Sequence, residues 1–391
     1  MCHKSRASLV NVILVDPSLF TAPYDAALTR GLVVAGVEPK WLTRRIRPGD
    51  RVELPAQFTD DFFYRRTDQL GWVPPSLRPI IKGCAHLAAT ASLLTRIRRA
   101  RPDAVHVQWV VLPLIDIIAM AFIRRWCPLV LTIHDTAPFN AMSWIQRWGS
   151  KVPAKLADCV IVHTHAGRQA LRHQGVSENR VSVIPHGPLS LPMCAAPPPV
   201  RDGRWTAVLF GEIKPYKGLD ILIEAVAALP KSVRRGLRVI VAGRPRMDVA
   251  PLRSRIAALG LGDQFEWRLG RLSEEQMATL FAEADGFVFP YRQIDASGVY
   301  YLVKPLRKWL IASRVGIFAE DMTSPAHGSL VPPADVPALA RALEHAIAAR
   351  PRSAFLGFET SWSEIGRATR AVYERAKAEF DARHTQRRRD M

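Results

Sequence analysis

Lys217 closes the segment Phe210-Gly211-Glu212-Ile213-Lys214-Pro215-Tyr216-Lys217-Gly218, and eighty residues on comes Pro290-Tyr291-Arg292-Gln293-Ile294-Asp295-Ala296-Ser297-Gly298. Each segment leaves an apolar run, turns through small or polar residues and enters a predicted helix, which aims backbone N–H groups and cations at phosphate. A departing diphosphate must have its charge stabilised, and without a metal this falls to cations and backbone dipoles. Lys217 is the leading cation, with Lys214 and Arg292 as further ones. Gly211 permits close backbone approach, the amides of Ser297, Gly298 and Val299 can face phosphate, and Asp295 can accept hydrogen bonds from hydroxyls. Asp295 also suits a helix N-cap. The pair reads as a clamp for a nucleotide diphosphate.

These segments resemble the donor-binding half of the GT-B glycosyltransferases, particularly the family-4-like group and the xanthan-type mannosyltransferases related to it. The resemblance implies an α/β chain of two doubly wound, Rossmann-like domains facing across a cleft. It implies a nucleotide-sugar donor, GDP-mannose or a UDP-sugar, with no cofactor and no metal. The acceptor it implies is a saccharide, lipid-linked, in exopolysaccharide or cell-envelope synthesis. His134-Asp135 is similar to the family's His-Asp segment at the sugar, which gives His134 and Asp295 the catalytic assignments. Asp16, Tyr24 and Asp25, in the first-strand loop and the helix after it, fall at the acceptor side, with helix capping as the other reading of both carboxylates.

The chain departs from the family pattern at three places. Glu212 stands where an Arg is usual, and Val303 stands where a second Glu is usual, eight residues after Asp295. Bulky residues from Leu306 to Ser313 replace a small Gly-x-Pro turn; Lys304, Arg307 and Lys308 either replace lost donor contacts or line the solvent face of a helix. A noncatalytic sugar or nucleotide-sugar binding subunit with a degenerate site is therefore the alternative.

These residues need rigid elements. Apolar runs at Leu9–Val15, Asp103–Trp109, Pro128–Asp135 and Cys159–His163 are separated by helical lengths, as parallel strands with crossovers require. The pattern restarts at Thr206–Phe210, Leu237–Gly243 and Gly286–Pro290, and Leu219, Leu222, Ile223, Val226 and Leu229 form a helical stripe. The expected divisions are 1–187, a Pro-rich linker at 188–203, a donor domain at 204–360, and a closing helix with a frayed basic tail at 361–391. The resemblance further implies that the closing helix returns to the first domain. His163, His165 and His186 read as structural.

At 391 residues the chain suits two domains, and 48% hydrophobic with 23% charged residues argues against extended disorder. Five cysteines without a CxxC pair suggest neither a zinc site nor a disulfide framework. The net charge of +19 includes clusters at Arg44–Arg47, Arg65–Arg66 and Arg96–Arg101, which would attract an acidic membrane surface. Phe62, Phe63 and Trp72 are the expected inserting aromatics. No zinc-finger or RRM signature accompanies the charge, so nucleic acid is not an expected partner. The run Trp109–Ile123 is too short to span a membrane and reads as a buried helix. With no apolar signal segment at Met1–Arg6, the expected location is the cytoplasm, peripherally on the inner membrane face.

Overall fold

The computed structural model describes residues 9–46, 54–65, 67, 73–74, 76–136, 151–189, 202–355 and 360–389. The chain forms two compact units, Met1–Gly187 with Thr360–Met391, and Pro188–Glu359.

The first unit is built on a seven-stranded sheet in the order β3-β2-β1-β4-β5-β6-β7. Its strands are β1 (Val10–Asp16), β2 (Val37–Arg44), β3 (Thr59–Phe63), β4 (Ala104–Val107), β5 (Leu129–Ile133), β6 (Cys159–Val162) and β7 (Val181–Val183). All pairings are parallel. Strands buried on both faces need apolar side chains throughout, which β4, β5 and β6 largely supply. Helices Arg78–Ala100 and Pro113–Trp126 cover one face through Leu93, Ile97, Met120 and Ile123. Helices Ala22–Val34 and Trp362–Arg389 cover the other through Leu28, Leu32, Ile365 and Tyr373.

The closing helix thus lies on the first unit. It crosses Ala22–Val34 where a Cβ on Gly366 would stand 2.1 Å from the Gly31 carbonyl oxygen, so only paired glycines allow this approach. Arg370 then donates to the Ala35 carbonyl at 2.7 Å and Arg375 to Ser182 Oγ at 2.7 Å. The expected frayed tail is instead helix to Arg389, anchored by Arg383 on Asp158 at 2.7 Å.

The second unit holds a six-stranded parallel sheet, β10-β9-β8-β11-β12-β13. These are β8 (Trp205–Phe210), β9 (Leu237–Gly243), β10 (Phe265–Leu269), β11 (Gly286–Phe289), β12 (Trp309–Ser313) and β13 (Ser329–Val331). The helix Leu219–Ala228 buries Leu219, Leu222, Ile223 and Val226 against this sheet. Both sheets therefore have a point where strand order reverses, between β1 and β4 and between β8 and β11, where open α/β sheets place ligands.

Three further expectations change. The stretch after Val303 is not one helix: Lys304–Leu306 is a single 3-10 turn, Arg307 takes φ 55°, and the chain enters β12. The run Trp109–Ile123 yields the helix Pro113–Trp126, whose outer face is exposed at Leu114, Ile118 and Phe122. Phe63 is buried in the core, out of reach of a membrane, and Phe62 is half-buried against it at 5.3 Å between rings. Trp72 and most of the linker, residues 190–201, lie outside the described residues.

Candidate functional site

In the second unit the loops after β8 and β11 meet. Gly218, at φ 69°, starts the helix Leu219–Ala228, and a Cβ there would fall 2.0 Å from the Pro290 carbonyl oxygen. Arg292 fastens the contact: its backbone N–H donates to Tyr216 O at 2.8 Å, while its guanidinium donates to Pro215 O at 2.9 Å and Asp220 Oδ1 at 3.0 Å. Lys214 pairs with Glu212 at 2.9 Å, and Glu212 also takes Arg246 at 2.6 Å. Both secondary cations of the clamp are thus bound to carboxylates of the chain itself.

Lys217 is different. It ends the turn Pro215–Lys217 and is 6% exposed, with its ammonium 3.4 Å from the Phe210 carbonyl and 5.5 Å from the centre of the Tyr291 ring. A buried ammonium with so little compensation is costly as a cation. Burial, reinforced by the Lys214 charge, lowers its pKa to about 7, against the opposing pull of Glu212. A Cβ on Gly211 would lie 2.9 Å from both Lys217 Nζ and Val299 Cγ2, so the glycine brings the first loop, the ammonium and the second loop together.

Ser297, not Asp295, is the N-cap of the helix Gly298–Val303, its Oγ accepting from Tyr300 N at 3.4 Å. Gly298 faces open space, and Val299 is half-buried. The half-buried Asp295 is held by its backbone carbonyl, which accepts from Ile317 N at 2.9 Å. Val303, where the family has a carboxylate, is completely buried. Lys304 is likewise interior: it and the Tyr300 hydroxyl both donate to Asp321 Oδ2 at 2.6 Å, and its ammonium lies over the Phe355 ring at 4.6 Å.

In the first unit the ends of successive strands carry polar side chains that form a wire. Tyr373, from the closing helix, lies 2.8 Å from His106 Nδ1, and His106 Nε2 lies 2.7 Å from Thr132 Oγ1 and 3.3 Å from the Gln108 amide. That amide reaches His134 Nε2 at 3.2 Å; His134 Nδ1 is 3.1 Å from His163 Nε2, and His163 Nδ1 is 3.0 Å from the Ile184 carbonyl. Burial holds these imidazoles neutral: His106 and His186 are pushed down to about 3 and His163 to about 4. Burial and the neighbouring His163, His186 and His106 hold His134 well below the usual range.

Neutral rings fix the wire's direction. A carbonyl only accepts, so His163 Nδ1 carries the proton and its Nε2 accepts from His134 Nδ1–H. His134 Nε2 is then an acceptor, but the atom facing it is Gln108 Oε1, while Gln108 Nε2 faces His106 Nε2; the wire closes only with the Gln108 amide turned over, its NH2 on His134 and its oxygen toward His106 Nε2–H. Tyr373, whose burial keeps the phenol protonated, donates at the far end. Trp109 stacks on His134 with ring centres 4.8 Å apart and 12° between planes.

Tyr24 belongs to this cluster, its ring lying 5.2 Å from His134, 5.3 Å from His163 and 4.9 Å from His186. It is buried, as are Asp16 and Asp25. Asp16 Oδ1 accepts from Ser18 N and Leu19 N, both at 2.9 Å, forming a turn. Burial, with the Asp16 charge beside it, pushes Asp25 well above the carboxylate range. Asp16 and Asp25, expected at the acceptor side with Tyr24, are fully buried, and Tyr24 is 3% exposed. Of the histidines read from the sequence as structural, His163 lies beside His134 with ring centres 5.0 Å apart, His186 lies beside His163 at 5.5 Å, and His165 starts the helix His165–His173. Gln108, His106 and Tyr373 were missed; the available signal was a polar side chain at or just beyond the ends of β4, β5 and β6.

The described residues hold no cluster of three or more His, Cys, Asp or Glu placed to bind a metal.

No curated protein matches the sequence. Solved structures match its fold: Anabaena Alr3699/HepE in complex with UDP and glucose is 16% identical at a TM-score of 0.64, covering 98% of this chain and 100% of that one. Sucrose-phosphate synthase from Thermosynechococcus elongatus is 18% identical at 0.60, covering 98% and 100%. The lipopolysaccharide outer core galactosyltransferase WaaB is 14% identical at 0.61, covering 96% and 98%. The model for Glycosyltransferase Family 4 matches residues 26–187 and that for Glycosyl transferases group 1 matches residues 196–360. With one model on each Rossmann-like half, the chain is a family-4-like glycosyltransferase of the GT-B type.

Proposed function

We propose that the chain transfers a hexose from a nucleotide-diphosphate sugar to a saccharide that is lipid-linked, in exopolysaccharide or cell-envelope synthesis on the inner membrane face. GDP-mannose, as in the xanthan-type mannosyltransferases, and UDP-sugars are the donors to test first. The observation that carries this reading is the buried, poorly compensated ammonium of Lys217, held by Gly211 beside the second loop. A diphosphate supplies the missing anion, and without a metal its departing charge is met by Lys217 and the amides of Ser297, Gly298 and Val299. Asp295 takes sugar hydroxyls. His134 takes the transferred sugar through Nε2 in place of Gln108. UDP and glucose bound in HepE support the donor class.

A panel of nucleotide sugars tests this by thermal shift and product formation; a donor at about 100 times its Kd adds about 2.7 kcal/mol. Stabilisation together with donor-dependent product is the expected result, and no response to any member overturns the reading. The buried Val303 in the place of a carboxylate favours a second reading, a noncatalytic binding subunit. That reading predicts stabilisation without turnover.

A further inference from the structure

Helices Arg78–Ala100 and Pro113–Trp126 lie side by side on one face of the first sheet. Asp116 joins them, its Oδ1 2.7 Å from His86 Nε2 and its Oδ2 accepting from Val111 N at 2.7 Å and Leu112 N at 2.8 Å. Their inner sides form core through Leu93, Ile97, Met120 and Ile123. Apolar residues also occupy their outer sides: Leu87 is 56% exposed, and Leu114, Ile118 and Phe122, four residues apart on one stripe, are 57%, 59% and 41% exposed. Leu77 and Ile80 extend the surface, which holds six of the twelve exposed large apolar side chains among the described residues.

The two helices carry an excess of positive charge. Arg78–Ala100 contains no acidic residue, and Asp116, the one acid of Pro113–Trp126, is turned inward onto His86 and the two amides. Neighbouring elements supply Asp60 to Arg96 at 2.6 Å and Asp158 to Arg124 at 2.8 Å, and Lys82, Arg98, Arg99 and Arg125 add further positive charge around the apolar surface. Two copies meeting through this face would oppose cations, whereas an interface with anionic headgroups over an apolar interior satisfies both features.

We propose that this two-helix face docks the protein peripherally on an acidic lipid bilayer, Leu87, Ile118 and Phe122 entering the headgroup boundary and Lys82, Arg99 and Arg125 meeting anionic headgroups. It takes the place of the buried Phe63 and half-buried Phe62 as the inserting surface. The inference deepens the membrane-side location proposed above and rests on it, but its test uses no transfer reaction and so fails separately.

Cosedimentation is measured with vesicles of phosphatidylcholine alone and of phosphatidylcholine mixed with phosphatidylglycerol, over a salt series. The chain should bind the anionic vesicles at low salt and release them as the screening length falls below about 10 Å. Ile118→Glu combined with Phe122→Glu should weaken binding at least about 10-fold without lowering Tm, since both side chains are exposed. Lys82→Glu with Arg125→Glu should flatten the salt dependence. Val34→Glu, 69% exposed on the helix covering the opposite sheet face, should bind as the parent does. Equal binding to neutral and anionic vesicles, or full binding by the Ile118/Phe122 variant, overturns the proposal. A dimer in sedimentation velocity that this variant dissolves would instead assign the face to a second copy of the chain.

Discussion

His134 Nδ1 lies 3.1 Å from His163 Nε2, and because His163 spends its own proton on the Ile184 carbonyl, His134 is the donor in that pair. The tautomer of the residue assigned to the sugar is therefore set by a backbone carbonyl two strands away. Replacing His163 with Leu should release His134 from this tautomer, lowering kcat about 10-fold or more with little change in KM. His163→Gln, which keeps an acceptor, should restore part of the loss. If both variants behave alike, the wire only fills space.

Lys217→Ala should reduce kcat roughly 100-fold by removing a charge that strengthens as the diphosphate departs. Its Tm should not fall, since a buried ammonium with one long hydrogen bond contributes little to the fold. Steady-state kinetics beside thermal melts check both statements; near-normal turnover rejects the role.

Proton uptake provides an independent reading of the same ammonium. In the empty site Lys217 loses its proton above about 7, and a bound diphosphate would draw that proton back. Calorimetry of nucleoside diphosphate at about pH 8 in buffers of different ionisation enthalpy should show uptake approaching one proton, absent in Lys217→Met. Affinity should fall as pH rises beyond that point. In the unliganded protein the sign reverses: the depressed pKa means that Lys217 costs stability at low pH, a cost relieved as pH rises from about 7 toward the ordinary lysine range.

Asp295→Asn should weaken the nucleotide sugar more than the free nucleotide diphosphate, because the carboxylate is assigned to sugar hydroxyls and the neighbouring amides to phosphate. Titration with both ligands separates the roles. Equal losses would point to collapse of the loop that Ile317 supports.

Acid should unfold the first unit early. Its buried imidazoles stay neutral to about 3 or 4, while the unfolded chain takes up protons below about 6.5. The unfolded state therefore binds more protons between those values, and stability falls with pH by up to about 1.4 kcal/mol per unit for each histidine. Melting curves at pH 7 and near pH 5 should differ clearly, and His106→Gln should narrow the gap. A flat profile would show that these rings gain their protons without loss of structure.

Strands such as β5, β6, β8 and β9 were legible because burial on both faces demands uninterrupted apolar residues. The edge strand β3, Thr59-Asp60-Asp61-Phe62-Phe63, carries no such pattern, and β12 was obscured by the cations before it. The clamp was legible as two loops of the right residue types. That Lys217 is buried while Lys214 and Arg292 are tied to carboxylates was not, since pairing depends on side chains far apart in sequence. The histidine wire joins strand ends 26 to 29 residues apart, which only parallel stacking brings together.

Tyr373 completes that wire from a helix that follows the entire second unit in the chain. The second unit is in effect an insertion within the first, so during synthesis residues 1–187 emerge with one sheet face covered by Ala22–Val34 alone and His106 lacking its phenol. A nascent chain must wait through some 170 further residues before Gly366 can settle against Gly31. The first half expressed alone should therefore aggregate or recruit chaperones, and supplying the segment 360–391 in trans should rescue its solubility.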